Sequence, residues 1–206
     1  MRIVPAVVLS VALLSVAACA GSSEEPSEPA VEVTVPSAAP GDGGKRKGGE
    51  LLDLGTPADT VGTRFEGGGE LEVTPLSVVY SPRAGSARSQ NGIFAIVVIK
   101  DRNTGSVPAQ EAAPVEGGGW RWIAPEGEQV EEGNGAAPDV ELGEFEGITE
   151  VQPGDSDLTA AVFDLKEQQR GGTLLYVDGD NSSYRWTMPK KDTGPQADQV
   201  RKRIAP

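Results

Sequence analysis

The chain has no histidine, a single cysteine, and only three tryptophans, three tyrosines and four phenylalanines among its 206 residues. The missing imidazole excludes Ser-His-Asp triads and His-ligated zinc or haem. One cysteine excludes an intrachain disulfide, a Cys-x-x-Cys redox pair and a thiolate cluster. Cations are the minority charge: 18 Lys and Arg stand against 31 Asp and Glu, for a formal net charge of −13. Such a chain lacks the basic surface that neutralises phosphates, so nucleic acid is not an expected partner. Beyond the N-terminal segment no apolar run approaches the roughly 20 residues that a membrane-spanning helix needs.

What is present begins with a targeting signal. Arg2 supplies a thin positive charge, Ile3–Val16 is apolar apart from Pro5 and Ser10, and small residues follow at Ala17, Ala18 and Ala20. This pattern reads as a secretory signal over residues 1–18. The lone cysteine, Cys19, sits where the signal ends, in Val16-Ala17-Ala18-Cys19-Ala20-Gly21. The stretch resembles the bacterial lipobox, in which a thioether joins the cysteine to diacylglycerol and cleavage leaves it as the first mature residue. Two or three acyl chains, at about 0.8 kcal/mol per buried methylene, suffice for a durable anchor. Ala18-Cys19-Ala20 also satisfies the ordinary Ala-x-Ala cleavage rule, which would release a secreted protein instead.

Residues 19–60 are rich in Gly, Pro, Ser, Ala and charge, and they read as a disordered spacer behind the lipid. Residues 190–206 carry five basic side chains against Asp192 and Asp198 and read as a disordered basic tail. Between them, residues 61–189 alternate with period 2. Leu71 and Val73 share one phase, and Leu76, Val78 and Tyr80 continue in the other after Pro75, which suggests a bulge or an edge. Ile93–Ile99 is apolar on both faces, as a central strand must be. Further strands are expected at Trp120–Ile123, Glu141–Phe145, Asp157–Asp164, Thr173–Val177 and Ser183–Met188. One short helical turn fits Leu165–Arg170. Seven or eight short strands separated by Gly, Asp, Asn and Pro turns indicate an all-β, immunoglobulin-like antiparallel sandwich.

The order of these elements resembles the telokin-like, immunoglobulin-type sandwich of secreted and lipid-anchored proteins in high-GC Gram-positive bacteria. The matching pieces are Gly62-x-x-Phe65 before Leu71-Glu72-Val73-Thr74, the run Ile96–Gly105, the turn Pro153-Gly154, and Val162-Phe163-Asp164. The resemblance implies a fold and an extracytoplasmic role. It carries over no catalytic residue.

Trp120 and Trp122 lie at i and i+2, as do Tyr184 and Trp186, so each pair shares one sheet face. Exposed, these four would form a platform for a glycan or small molecule; buried, they would fill the core. Asp178-Gly179-Asp180-Asn181-Ser182 offers oxygens for calcium but lacks the spacing of an EF-hand, and a hairpin turn accounts for the same residues. The acidic segment Glu126–Asp139 reads as a solvated loop. No Ser-x-x-Lys motif or isolated carboxylate pair marks an active site, so the chain is expected not to be an enzyme. No metal or cofactor is expected.

The resulting expectation is a monomeric lipoprotein on the extracytoplasmic face of the cell membrane, held by lipid on Cys19. It would serve as a non-catalytic binding or scaffolding module with an envelope-protein or wall-glycan partner. A secreted glycan- or small-molecule-binding sandwich is the first alternative, and a hydrolase using carboxylates the remote one.

Overall fold

The computed structural model describes residues 49–63, 67–147 and 150–206. The signal segment, Cys19 and most of the spacer lie outside the described residues. In chain order the strands are β1 (Leu51–Asp53), β2 (Ala58–Val61), β3 (Glu70–Ser81), β4 (Arg83–Ala84), β5 (Ala87–Arg88), β6 (Ile93–Asn103), β7 (Gly119–Ile123), β8 (Gln129–Glu131), β9 (Ser156–Leu165), β10 (Thr173–Val177) and β11 (Ser183–Thr187). A short helix, α1 (Ala197–Arg203), follows them.

The strands form a five-stranded sheet ordered β1-β11-β10-β7-β8, a four-stranded sheet ordered β2-β3-β6-β9, and the small β4-β5 hairpin. The all-β sandwich is therefore as expected, but it uses nine strands in its two main sheets. It is also not purely antiparallel, because β1 pairs in parallel with β11. The phase change at Pro75 is a bulge: the β3–β6 register slips between Pro75 and Ser77. The slip returns Val78 and Tyr80 to the buried face that carries Leu71 and Val73.

The two sheets face each other across one core. From β6 come Ile93, Ala95, Val97 and Ile99, and from the opposite sheet Trp120, Trp122, Leu174, Tyr176 and Trp186. The four-stranded sheet is covered on its other face as well. There Phe94, Ile96, Val98 and Val162 pack under Ala137, Leu142, Phe145, Val200 and Ile204. Residues 141–145 supply part of that cover as a 3-10 turn at Gly143–Phe145 rather than as the expected strand.

Two boundaries move. Residues 51–60 contribute β1 and β2 to the sandwich instead of belonging to the spacer. The tail is ordered, contrary to expectation. Beyond Val73, β3 has lost its partner β2, and the C-terminal segment takes the vacant edge. Thr193 exchanges backbone hydrogen bonds with Val78 at 2.9 and 3.0 Å. The Tyr80 amide donates to Asp192 at 2.9 Å, and Arg201 donates to the Tyr80 carbonyl at 2.8 Å. An unpaired edge is thereby covered, and α1 seals it with Val200 and Ile204.

Candidate functional site

The aromatic platform does not exist. Trp120, Trp122 and Trp186 are at most 2% exposed, and Tyr184 is buried too. Each indole N–H is satisfied within the protein: Trp120 by Glu111, Trp122 by the Gln169 carbonyl and Trp186 by the Thr56 carbonyl. The rings pack on one another, with Trp120 4.5 Å from Tyr176 and 5.7 Å from Trp186. The pairs share a face as period 2 requires, and that face is the interior. With so few aromatics, the core takes every one among the described residues.

The 178–182 turn is equally occupied. Asp178 accepts hydrogen bonds from the amides of Val61, Asp180 and Ser182. Its carboxylate thus ties the β10–β11 hairpin to β2, leaving no ready oxygen shell for calcium. Among the described residues no three acidic or other metal-ligating side chains converge.

The distinctive chemistry lies elsewhere, at one end of the sandwich. On β6 the inward positions run Ile93, Ala95, Val97, Ile99, and the next in phase is Asp101. Strand geometry therefore drives a carboxyl into the interior at the rim of the core, where it is 2% exposed. Facing it is Glu111, on the crossover from β6 to β7. That crossover is pinned by the Ala109–Val151 bridge and by the Ala112 amide, which donates to the Tyr176 hydroxyl at 2.9 Å. Glu132, just past β8, completes the group.

The three carboxyls and Thr159 line a cavity of about 150 Å³, with Leu71, Ala112, Pro114 and Val151 among its apolar walls. Pro114 is exposed and stands at its edge.

The donors are few. Glu111 Oε2 accepts from the Trp120 indole at 2.9 Å, and Asp101 Oδ2 from the Thr159 hydroxyl at 3.4 Å. Asp101 Oδ1 and Glu111 Oε1 have no donor at all. The two carboxyls lie within hydrogen-bonding reach of each other, so a proton held between them is one way to satisfy both. Burial holds Asp101 well above the ordinary carboxylate range, and the neighbouring Glu111 charge adds to the shift. Burial also raises Glu111, against the lowering pull of the Trp120 hydrogen bond. Glu132 is pushed up to about 7 by burial alone. Tyr176, raised by burial and by Glu111, stays a neutral phenol.

Asp101 was not singled out in the sequence analysis, although its place in the inward phase of an otherwise apolar strand made it legible there. Glu111 was not legible, because the crossover has no periodicity. The acidic segment 126–139 also departs from expectation. It forms β8 and a 3-10 turn at Ala137–Asp139, and it turns Glu132 inward.

No family model and no curated protein matches the chain. Three solved structures are similar at the level of fold. A conserved hypothetical protein from Bacillus anthracis is 19% identical, with a TM-score of 0.43, over 69% of this chain and 99% of its own. A protein from Bacillus subtilis, described provisionally as a lipoprotein, is 11% identical with a TM-score of 0.41, over 73% of this chain and 41% of its own. An uncharacterised β-sandwich protein from Clostridium difficile is 13% identical with a TM-score of 0.40, over 71% of this chain and 99% of its own.

Proposed function

We propose that this chain is a lipid-anchored β-sandwich of the bacterial cell envelope that works by binding a ligand in the acidic cavity. The observation that carries the binding half is the buried Asp101 beside the half-buried Glu111, lining one cavity, each with an oxygen that accepts from no donor unless the pair shares a proton. A buried acceptor without a donor has a free-energy cost on the order of 1–3 kcal/mol, more if charged. A ligand supplying donors or positive charge removes it. The anchoring half rests on the lipobox-like Val16–Gly21 and on Cys19 being the only cysteine. The resemblance of the strand-and-turn pattern to telokin-like envelope proteins fits the same location.

The pair also has the chemistry of a hydrolytic dyad, two carboxyls sharing one proton. Access argues against that reading. Asp101 is 2% exposed, and 150 Å³ holds a group about the size of benzene, whereas a hexose ring with its hydroxyls is about twice as large. Glycosidase carboxyls also stand roughly 5–9 Å apart, across the substrate, rather than against each other.

The two halves are tested separately. In a host with a lipoprotein pathway, the wild-type chain fractionates with membranes and Cys19→Ala does not; unchanged fractionation contradicts the anchor. A thermal-shift screen over small cations, sugars and amino acids tests the cavity. A ligand is expected to raise the Tm of wild type but not of the Asp101→Asn/Glu111→Gln double variant. Equal shifts in both proteins, or none with any class, contradict binding in the cavity.

A further inference from the structure

We infer that the ligand is a primary ammonium group on a short alkyl stem, and that it enters the cavity with its nitrogen between Asp101 and Glu111. The inference rests on the binding reading above and adds the chemical class.

Three observations select this class. Asp101 and Glu111, on different elements, line the same cavity, each keeps one oxygen without a donor, and Thr159 places a hydroxyl beside them. That is a match for the three N–H donors of an ammonium. It is a poor match for calcium, which takes six to eight oxygens, because among the described residues no group of three or more metal-ligating side chains is arranged to hold a metal ion. Among the remaining walls Gln110 and Glu132 are polar, while Leu71, Ala112, Ala113, Pro114 and Val151 are apolar and suit methylenes. The volume, about 150 Å³, fits a chain of four or five carbons, comparable with the benzene-sized cavities that small apolar ligands fill. The net charge of −13 favours approach by a cation.

The same group is available from a free alkylamine or from a lysine side chain of a polypeptide. Val115, 91% exposed next to Pro114 at the cavity's edge, offers a polypeptide an apolar contact that a free amine does not need.

Binding is coupled to protons. The groups facing the nitrogen are Asp101 from β6, Glu111 from the crossover, Glu132 from beyond β8, Asp157 from β9 and the neutral Tyr176 phenol from β10. A proton held by the acid pair competes with the ammonium, so affinity is expected to rise with pH until the pair is fully ionised.

The test follows the three indole N–H resonances of the folded chain during titration. The Trp120 N–H bonds Glu111 directly, whereas those of Trp122 and Trp186 bond backbone carbonyls and serve as internal references. n-Butylammonium and an acetyl-Gly-Lys-Gly-amide peptide are the probes. The expected result is a saturable shift of Trp120 alone, with affinity at least tenfold weaker in Glu111→Gln and rising with pH in wild type. Tighter binding of the peptide, reduced by Val115→Ser, assigns the lysine source. Tighter or equal binding of butylammonium assigns the free amine. Wild type alone also decides, independently of any effect of the variant on folding: n-butanol binding as well as n-butylammonium, calcium shifting Trp120 in its place, or neither amine saturating overturns the inference. A sugar or amino-acid hit in the thermal-shift screen would then leave the cavity a binding site for a different ligand.

Discussion

Asp101 and Asp164 are both shielded from solvent on adjacent strands, yet they carry opposite chemistry. Both are at most 2% exposed. β6 and β9 are antiparallel, with Asp164 opposite Phe94 and Asp101 opposite Asp157. The two aspartates therefore stand seven residues apart along β6, roughly 23 Å at 3.3 Å per residue. Asp164 accepts hydrogen bonds from the Ser89 hydroxyl and from the amides of Gln90, Asn91 and Ala136. Gly135, in the left-handed region at φ +56°, lets that loop approach, since a Cβ there would lie 2.6 Å from Asp164 Oδ2. Burial pushes the Asp164 carboxyl up, but these donors together pull it below its ordinary value. Asp101 has one long hydrogen bond from Thr159 and an acidic neighbour, and burial prevails. The lesson is that low solvent exposure alone does not set a carboxylate's state; the donors aimed at it count as well. The Asp164 carboxylate, on the outer face of the four-stranded sheet, is tied by four donors, whereas Asp101, on the inner face, keeps an oxygen without one.

The comparison breaks most visibly at the satisfied end. Asp164→Ala orphans three amides and a hydroxyl that have folded around a carboxylate. It is expected to lower stability by about 3–5 kcal/mol at neutral pH, read by urea denaturation. A loss under about 1 kcal/mol would mean that the loop does not depend on the carboxylate.

Asp101→Asn should do the reverse, with a smaller amplitude. A carboxyl whose folded pKa is raised binds its proton more tightly in the native state than in the unfolded chain. Its contribution is therefore best at low pH and is lost as pH climbs from the ordinary carboxylate value through the raised one. Wild type should lose stability over that rise, and Asp101→Asn should lose less, ending about 1–2 kcal/mol more stable at pH 8 and no different at pH 4. Identical pH profiles would contradict the raised value. Asp164 has the opposite sign: its stabilisation is present above the unfolded pKa and disappears as pH falls through the lowered one.

The smallest effect sharpens the contrast. Thr159→Val removes only the hydrogen bond at 3.4 Å, near the limit of a useful contact, and should change stability by no more than about 0.5 kcal/mol. A cost comparable with that of Asp164→Ala would mean that Asp101 depends on its hydroxyl partner after all.

The strands were legible because period 2 is written directly into runs such as Ile93–Ile99 and Thr173–Val177. The sandwich follows from those runs. What stayed hidden was non-periodic. The C-terminal segment looks like a charged tail because only Val200 and Ile204, one helical turn apart, face inward. Its docking also depends on a β3 edge that exists only once β2 ends. The segment 126–139 reads as solvated because Glu128 and Glu131 pair with Lys166 and Arg121 at the surface, while its neighbour Glu132 is half-buried. The candidate site combines one legible residue, Asp101, with one illegible partner, Glu111. The tryptophans drew attention as a platform because shared facing is visible in sequence, whereas the direction of that face is decided by the opposite sheet.

The central claim is that, with both side chains shielded from solvent, abundant donors hold Asp164 below its ordinary pKa while Asp101, with few donors, lies well above it. Carboxyl carbon chemical shifts of the two aspartates, followed by NMR from pH 2 to pH 9, test it most directly. The account predicts an Asp164 midpoint below the ordinary aspartate value and an Asp101 midpoint well above it, moving in step with Glu111. Ordinary midpoints for both, or a depressed one for Asp101, would contradict it.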